Sequence, residues 1–317
     1  MSVAILFPGQ GSQKFGMGKR LSEKRSDIMD LWIKAEKISG VPLRGIYWES
    51  NDNDLMANTR NLQPAITVVN LALWLYTKDY IKPNCTAGHS LGEFSALAAA
   101  KVLSLDDVLQ AVSLRGRLMA EADPEGIGSM YAVLRLNAEQ VETLCKDVSD
   151  NSGKMVRLAN RNTPGQFAIS GHKQALEEVV EKAQALGGKC IPLAVSGAFH
   201  TPLMAEASAE FSKYLSSIDF HDAEFPVYCN INGEPLSEAE KLRSAIKKQM
   251  TSSVYWIETI CSQYENGVRK WFEFGPQGIL TRMMRQIIKV NEGADSCFET
   301  IHIPNLEEAD NYISNNC

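Results

Sequence analysis

The residues Gly88-His89-Ser90-Leu91-Gly92 fit the pattern G-x-S-x-G. In that pattern the serine sits on a strained strand-to-helix turn, which exposes its hydroxyl, and the glycines let helix and strand approach closely. The same turn aims the helix N-terminus and the backbone N–H of Leu91 at an oxyanion formed when Ser90 attacks a carbonyl. The surroundings agree, since CTAGHSLGEFSALAAAKVL runs from small residues through a turn into strong helix formers. Taken alone the pentapeptide is a moderate signal, because chance and purely structural turns also produce it.

A serine hydroxyl is a poor nucleophile at neutral pH and needs a base, and the chain has five histidines. His89 adjoins the serine and is expected to point away from Oγ and pack a helix. His172, at a turn after a strand, and His221, in the polar loop FHDAEF, read as surface residues. His200 lies in Ser196-Gly197-Ala198-Phe199-His200-Thr201-Pro202, where a strand ends and glycine allows a tight turn, a position that presents a side chain. His302, in FETIHIP, rivals it, because a hydrolase triad commonly closes with a late histidine. The residues alone leave His200 and His302 open.

The elements that must position these groups follow from the hydrophobic pattern. Residues 3–7 read as a strand stopped by Pro8-Gly9, with a polar, glycine-rich loop over 10–18 at its end. From Gln63, QPAITVVNLALWLYTKDY reads as a buried helix with Pro64 in its first turn. Between residues 129 and 195 the pattern changes to strands at 130–136, 155–160, 166–170 and 189–195, with helices at 138–148 and 174–186. That order, βαββαβ, is the signature of a ferredoxin-like unit. Further strands are expected at 227–231 and 270–273, a helix at 280–289, and a loosely packed polar tail from residue 291. The fold class is therefore α/β, a large domain at 1–127 and 197–317 with a ferredoxin-like small domain inserted at 128–196.

Bulk properties narrow the function classes. At 317 residues, 44% hydrophobic and 22% charged, the chain suits a globular protein with a sizeable core. The apolar run at 3–7 has no basic residue ahead of it and reads as a strand, not a signal peptide, and no other run is long enough to span a bilayer. The seven cysteines lack metal-ligand spacing, which points to reduced thiols and a cytoplasmic location, with none a strong nucleophile. A formal charge of -6 argues against non-specific nucleic-acid binding.

FPGQGSQ at 7–13, LQPAI at 62–66, GHSLGE at 88–93, RGRLM at 115–119, GAFH at 197–200 and QMTSSVYW at 249–256 together resemble the malonyl-CoA:acyl carrier protein transacylase family. The likeness covers about residues 3–290, with the motifs in the family's order. It implies an α/β-hydrolase-like large domain carrying the ferredoxin-like insert, and favours His200 as the base of a Ser–His dyad. No carboxylate completes the dyad in the family; the resemblance implies that a backbone carbonyl near Gln249 orients the imidazole. It further implies that Gln10 supplies a second oxyanion donor beside Leu91, and that Gln63 lines the pocket. Phe199 matches a position where members handling malonyl carry phenylalanine and methylmalonyl-selective members usually carry serine. Asn160 and Asn162 match a loop expected near the pantetheine arm. The departures are SMYAVLRL, where the family has a more alanine-rich strand, and the tail.

Arg115 has a physical rationale beside the resemblance. A malonyl group ends in a carboxylate, which a guanidinium fork grips bidentately, whereas a neutral acetyl group leaves the buried charge unpaired. A surface helix arginine is the commoner use of the residue type, and Arg117, facing elsewhere, suits that role better. The implied partners are malonyl-CoA and an acidic acyl carrier protein, with no metal or redox cofactor. Docking of an acidic protein on an acidic enzyme needs a local basic face. Arg282, Arg285 and Lys289, at helical spacing, offer one, to which Lys189 can add; Lys241, Arg243, Lys247 and Lys248 compete. A monomer is expected. A thioesterase would share Ser90 and the oxyanion hole but assign no role to Arg115, and an idle docking protein would need none of these residues. Fatty-acid and polyketide carrier systems use the same motifs.

Overall fold

The computed structural model describes residues 2–50, 52–195, 197–291 and 297–316. Its strands are β1 (Ser2–Phe7), β2 (Cys85–Gly88), β3 (Gly128–Leu134), β4 (Val156–Thr163), β5 (Gln166–His172), β6 (Lys189–Pro192), β7 (Val227–Tyr228), β8 (Pro235–Leu236), β9 (Val268–Phe274) and β10 (Glu299–Ile303). Six of them form one sheet in the order β10-β9-β1-β2-β7-β8, parallel except for β8. The central strand β1 is apolar on both sides, as a parallel strand covered on both faces must be. Ile5 and Phe7 enter the core on one face with Phe272 and Phe274, while Ala4 and Leu6 enter the other with Trp271.

The second sheet is antiparallel, in the order β4-β5-β3-β6. Its helices Ala138–Ser152 and Lys173–Ala185 bury Val141, Cys145, Leu176 and Val179 against Val133, Phe167 and Ile169. This is the ferredoxin-like arrangement expected from the βαββαβ order. Its edge strand β4 is stitched to the large sheet's side through Arg161 N–H to Val254 O, 2.9 Å, and Val254 N–H to Ala159 O, 2.8 Å.

Several boundaries differ from the sequence pattern. The helix expected from Gln63 starts a turn earlier, at Thr59, because the Asn58 side chain accepts from the Arg60 N–H and caps it, so Pro64 lies inside the helix. The strand expected at 227–231 stops at Tyr228, where the chain turns and Cys229 N–H bonds Glu234 O. The tail expected to be loose lies partly outside the described residues, at 292–296 and 317; its described part is packed, with β10 extending the large sheet beside β9 and the helix Leu306–Asn316 packing on the helix Thr59–Thr77. Tyr76 donates to Asp310 at 2.6 Å across that contact. No disulfide joins the described cysteines; Cys317 lies outside the described residues.

Candidate active site

Ser90 stands between β2 and the helix Gly92–Ala99 with φ of 50°, a left-handed conformation costly for a side chain bearing Cβ. The two glycines are steric necessities. A Cβ on Gly92 would lie 1.9 Å from Phe7 O, and one on Gly88 would lie 1.9 Å from the Gly92 carbonyl carbon. The Asn230 side chain holds the strained turn, accepting from Ser90 N–H at 2.6 Å and donating to Gly88 O at 2.6 Å.

His200 is also left-handed, at φ of 61°, and buried. Its Nε2 lies 2.8 Å from Ser90 Oγ. Its Nδ1 faces two backbone carbonyls, Gln249 O at 3.2 Å and Ser252 O at 3.1 Å. Two acceptors require Nδ1 to carry the proton, which leaves Nε2 free to accept from the Ser90 hydroxyl. Burial, then the Arg115 charge, drives the imidazole down to about 3, so it is neutral at physiological pH and able to take a proton. His302 is remote from this centre, with Nε2 bonded to Gly275 O at 2.6 Å on β10.

Arg115 projects from the helix Leu105–Glu121, whose close approach to the helix Thr59–Thr77 depends on Gly116, where a Cβ would sit 3.0 Å from Thr59 O. The guanidinium is 1% exposed. It donates to Gln63 Oε1 at 2.9 Å, to Gln249 Oε1 at 2.9 Å and to Ser90 Oγ at 3.2 Å, and its face lies over Phe94. All three partners are neutral. Burial lowers its pKa to about 10, with Glu93 acting against that shift, so it remains a cation. Arg117 faces outward to Glu121 and Glu210.

These groups share a cleft of about 270 Å³. Gln10, Gln63, Leu91 and Phe199 line it from the large sheet's side, Asn160 and Asn162 from β4, and Ile279 and Met283 from the helix Ile279–Asn291. Gln249 does not line it; its side chain stands behind Arg115 and its carbonyl behind His200. His89 packs a helix as expected, its ring edge-on to Trp256 at the start of the helix Trp256–Glu265, and it also lines the cleft, with Nε2 2.8 Å from Asn162 Oδ1, so it joins the serine turn to the small sheet. Among the described residues no cluster of His, Cys, Asp and Glu could hold a metal, and no helix is long and apolar enough to cross a membrane.

The sequence matches the acyl transferase domain family over residues 5–308. It is 39% identical to the malonyl CoA-acyl carrier protein transacylase of Staphylococcus aureus (strain MW2), over 90% of this chain and 92% of that protein. The Bacillus subtilis (strain 168) protein of the same description is 37% identical, over 90% of each. The chain belongs to the malonyl CoA-acyl carrier protein transacylase family. Solved transacylases superpose on its whole length. That of Coxiella burnetii has a TM-score of 0.91 at 29% identity, covering 100% of this chain and 98% of that one. A malonyl-transacylase solved with its type II PKS acyl-carrier protein has a TM-score of 0.91 at 32% identity, covering 100% of both chains.

Two residues of this transacylase site escaped the sequence reading. Asn230 follows a two-residue strand and carries no local signal. Glu93, buried beneath Gln249, had one available: it is a carboxylate in the first turn of the helix that follows the serine. The desolvated imidazole yields a direct prediction. With His200 labelled at Cε1, NMR should show the ring still neutral from pH 8 to pH 5; the full displacement of an imidazolium, with a midpoint near the ordinary value of about 6.5, would contradict this geometry.

Proposed function

We infer that the protein moves a malonyl group from malonyl-CoA to the phosphopantetheine thiol of an acyl carrier protein through an ester on Ser90. The observation that carries this reading is the Arg115 cation, buried 3.2 Å from the nucleophile and bonded only to neutral groups. A carboxylate at the far end of a short acyl chain satisfies it; acetyl does not.

The chemistry proceeds in two symmetric halves. Ser90 Oγ attacks the thioester carbonyl carbon while His200 Nε2 takes the hydroxyl proton. The backbone N–H groups of Leu91 and Gln10 stabilise the oxyanion. The tetrahedral intermediate collapses by breaking the C–S bond, and His200 returns its proton to the departing CoA sulfur. The carrier-protein thiol then attacks the ester, giving its proton to His200, and Ser90 leaves with that proton. The carbonyls of Gln249 and Ser252 take the place of a triad carboxylate by holding the Nδ1–H tautomer. Phe199 walls the acyl site against a methyl branch, and Asn160 and Asn162 line the approach for the pantetheine arm. In this reading residues 1–127 and 197–317 are the catalytic domain and 128–196 the small domain.

The carrier protein docks at the helix Ile279–Asn291, which contributes Met283 to the cleft and exposes Arg282, Arg285 and Lys289 beside it. Lys189 stands apart, on β6, at the edge of the small sheet opposite to β4, which this helix touches. In the competing stretch Lys241 pairs with Glu238 and Arg243 caps the carbonyls of Leu215 and Ile218, and none of its four basic residues lines the cleft. Charge reversal at Arg282 and Arg285 should raise KM for the carrier protein about tenfold at low salt and flatten or invert the rise of KM with salt; an unchanged KM would exclude this face.

Intact-mass spectrometry after brief exposure to equimolar acetyl-, malonyl- and methylmalonyl-CoA tests the transfer itself. Wild type should carry a malonyl adduct, Ser90→Ala none, and Arg115→Ala should lose malonyl preference by on the order of 100-fold. Release of free CoA without an adduct would indicate a hydrolase instead.

A further inference from the structure

We propose that Glu93 is a positioning residue whose ionised carboxylate, by accepting from two fixed N–H donors, holds the nucleophile, the base and the guanidinium in a single register. The inference rests on Ser90 being the acylated nucleophile. Glu93 is 1% exposed in the helix Gly92–Ala99. One oxygen accepts from Asn230 N–H at 3.0 Å and the other from Gln249 Nε2 at 2.8 Å.

Each partner leads to a different part of the machinery. The Asn230 side chain holds both ends of the serine turn. Gln249 Nε2 also donates to Ser90 O at 2.8 Å, its Oε1 accepts from Arg115, and its backbone oxygen orients His200 Nδ1. The carboxylate decides which way the Gln249 amide points. Because Nε2 must face an acceptor-only group, Oε1 must face Arg115; reversed, the amide would set its NH2 against the guanidinium, donor to donor. Glu93 is therefore not the missing acid of a triad, since His200 Nδ1 is occupied by carbonyls. It acts one bond further back, on what holds the base and the clamp.

The ionised form meets these demands best. A glutamine presents an N–H to one of the two donors and leaves a buried N–H without its acceptor, and a protonated acid offers one of them only the weak lone pair of its hydroxyl. Burial pushes the Glu93 carboxyl up to about 7, against the opposing pull of Gln249, Asn230 and the Arg115 charge. The other titratable group facing it is Cys229, whose thiol is held well above its usual range and stays neutral. Protonation of Glu93 on descending through neutral pH is thus equivalent to the Glu93→Gln substitution.

Loading of malonyl- and acetyl-CoA by the full chain, followed by intact mass between pH 5.5 and 8 and normalised to the serine titrated by a sulfonyl fluoride, tests the proposal. Wild type should load malonyl fastest at pH 8 and lose rate as the pH falls through about 7. Glu93→Gln should load malonyl about tenfold or more slowly at pH 8, without that pH dependence, and with a lower malonyl-to-acetyl ratio. A purely structural role would lower the titratable fraction and leave rate and ratio per serine at wild-type values, which overturns the proposal. If Glu93→Gln does not fold, the wild type decides: a malonyl-to-acetyl ratio constant from pH 8 to 5.5, with an unchanged circular dichroism spectrum, overturns it, and a falling ratio supports it. Absence of a malonyl adduct on wild type overturns the transfer reading and this inference together, whereas an adduct on wild type matched by Glu93→Gln overturns this inference alone.

Discussion

A buried guanidinium that has no carboxylate within ion-pair reach among the described residues is the constraint on which the rest of this site depends. Taking Arg115 out of water is costly, and its hydrogen bonds to the neutral amide oxygens of Gln63 and Gln249 offset only part of that cost. In the proposed reading, an acyl carboxylate supplies the shortfall on arrival. Selectivity then arises from the free enzyme as much as from the complex, because every neutral acyl group leaves the same deficit in place. The arrangement also explains the neutral base. A cation next to His200 in a site this dry penalises an imidazolium, so the resting histidine is held ready to accept a proton.

Holding a cation, a nucleophile and a base within hydrogen-bond reach of one another requires backbone that ordinary elements do not supply. Ser90 and His200 both occupy left-handed conformations, and each is fixed by contacts far away in sequence. The serine turn is gripped by Asn230, and the imidazole by carbonyls at 249 and 252. The segment that provides those carbonyls is in turn tied to the small sheet: Arg157 of β4 donates to Ser253 Oγ at 2.8 Å, and Ser253 Oγ to Leu158 O at 2.7 Å. The inserted sheet thus walls the cleft and also braces the strap behind the base.

What could be read from sequence was whatever a local steric rule encodes. The G-x-S-x-G spacing is such a rule, since Gly88 and Gly92 leave no room for a Cβ, and the βαββαβ order of the insert follows from periodicity alone. Arg115 had a chemical rationale, but its burial against Gln63, 52 positions away, is a tertiary fact. The choice of His200 over His302 came from the resemblance and not from the residues, because one follows a strand-like run and the other lies in one, and only the assembled sheet separates them. Asn230 and Glu93 lie 137 positions apart and meet through a backbone N–H that every residue but proline possesses, so no pattern announces the pair. The tail was misread for a related reason. Glu299–Ile303 is an edge strand, half exposed, and the helix after it buries mainly Ala309, so neither carries a strong apolar stripe. Pro64 misled because proline favours a first helical turn, whereas the Asn58 cap had already begun the helix.

The most direct test of the central claim is a crystal structure of the protein after soaking with malonyl-CoA. The account predicts density continuous with Ser90 Oγ, ending in a carboxylate paired with both terminal nitrogens of Arg115 at about 2.8 Å. An acyl chain on Ser90 whose carboxylate points to solvent, with Arg115 still bonded to Gln63 and Gln249, would contradict it.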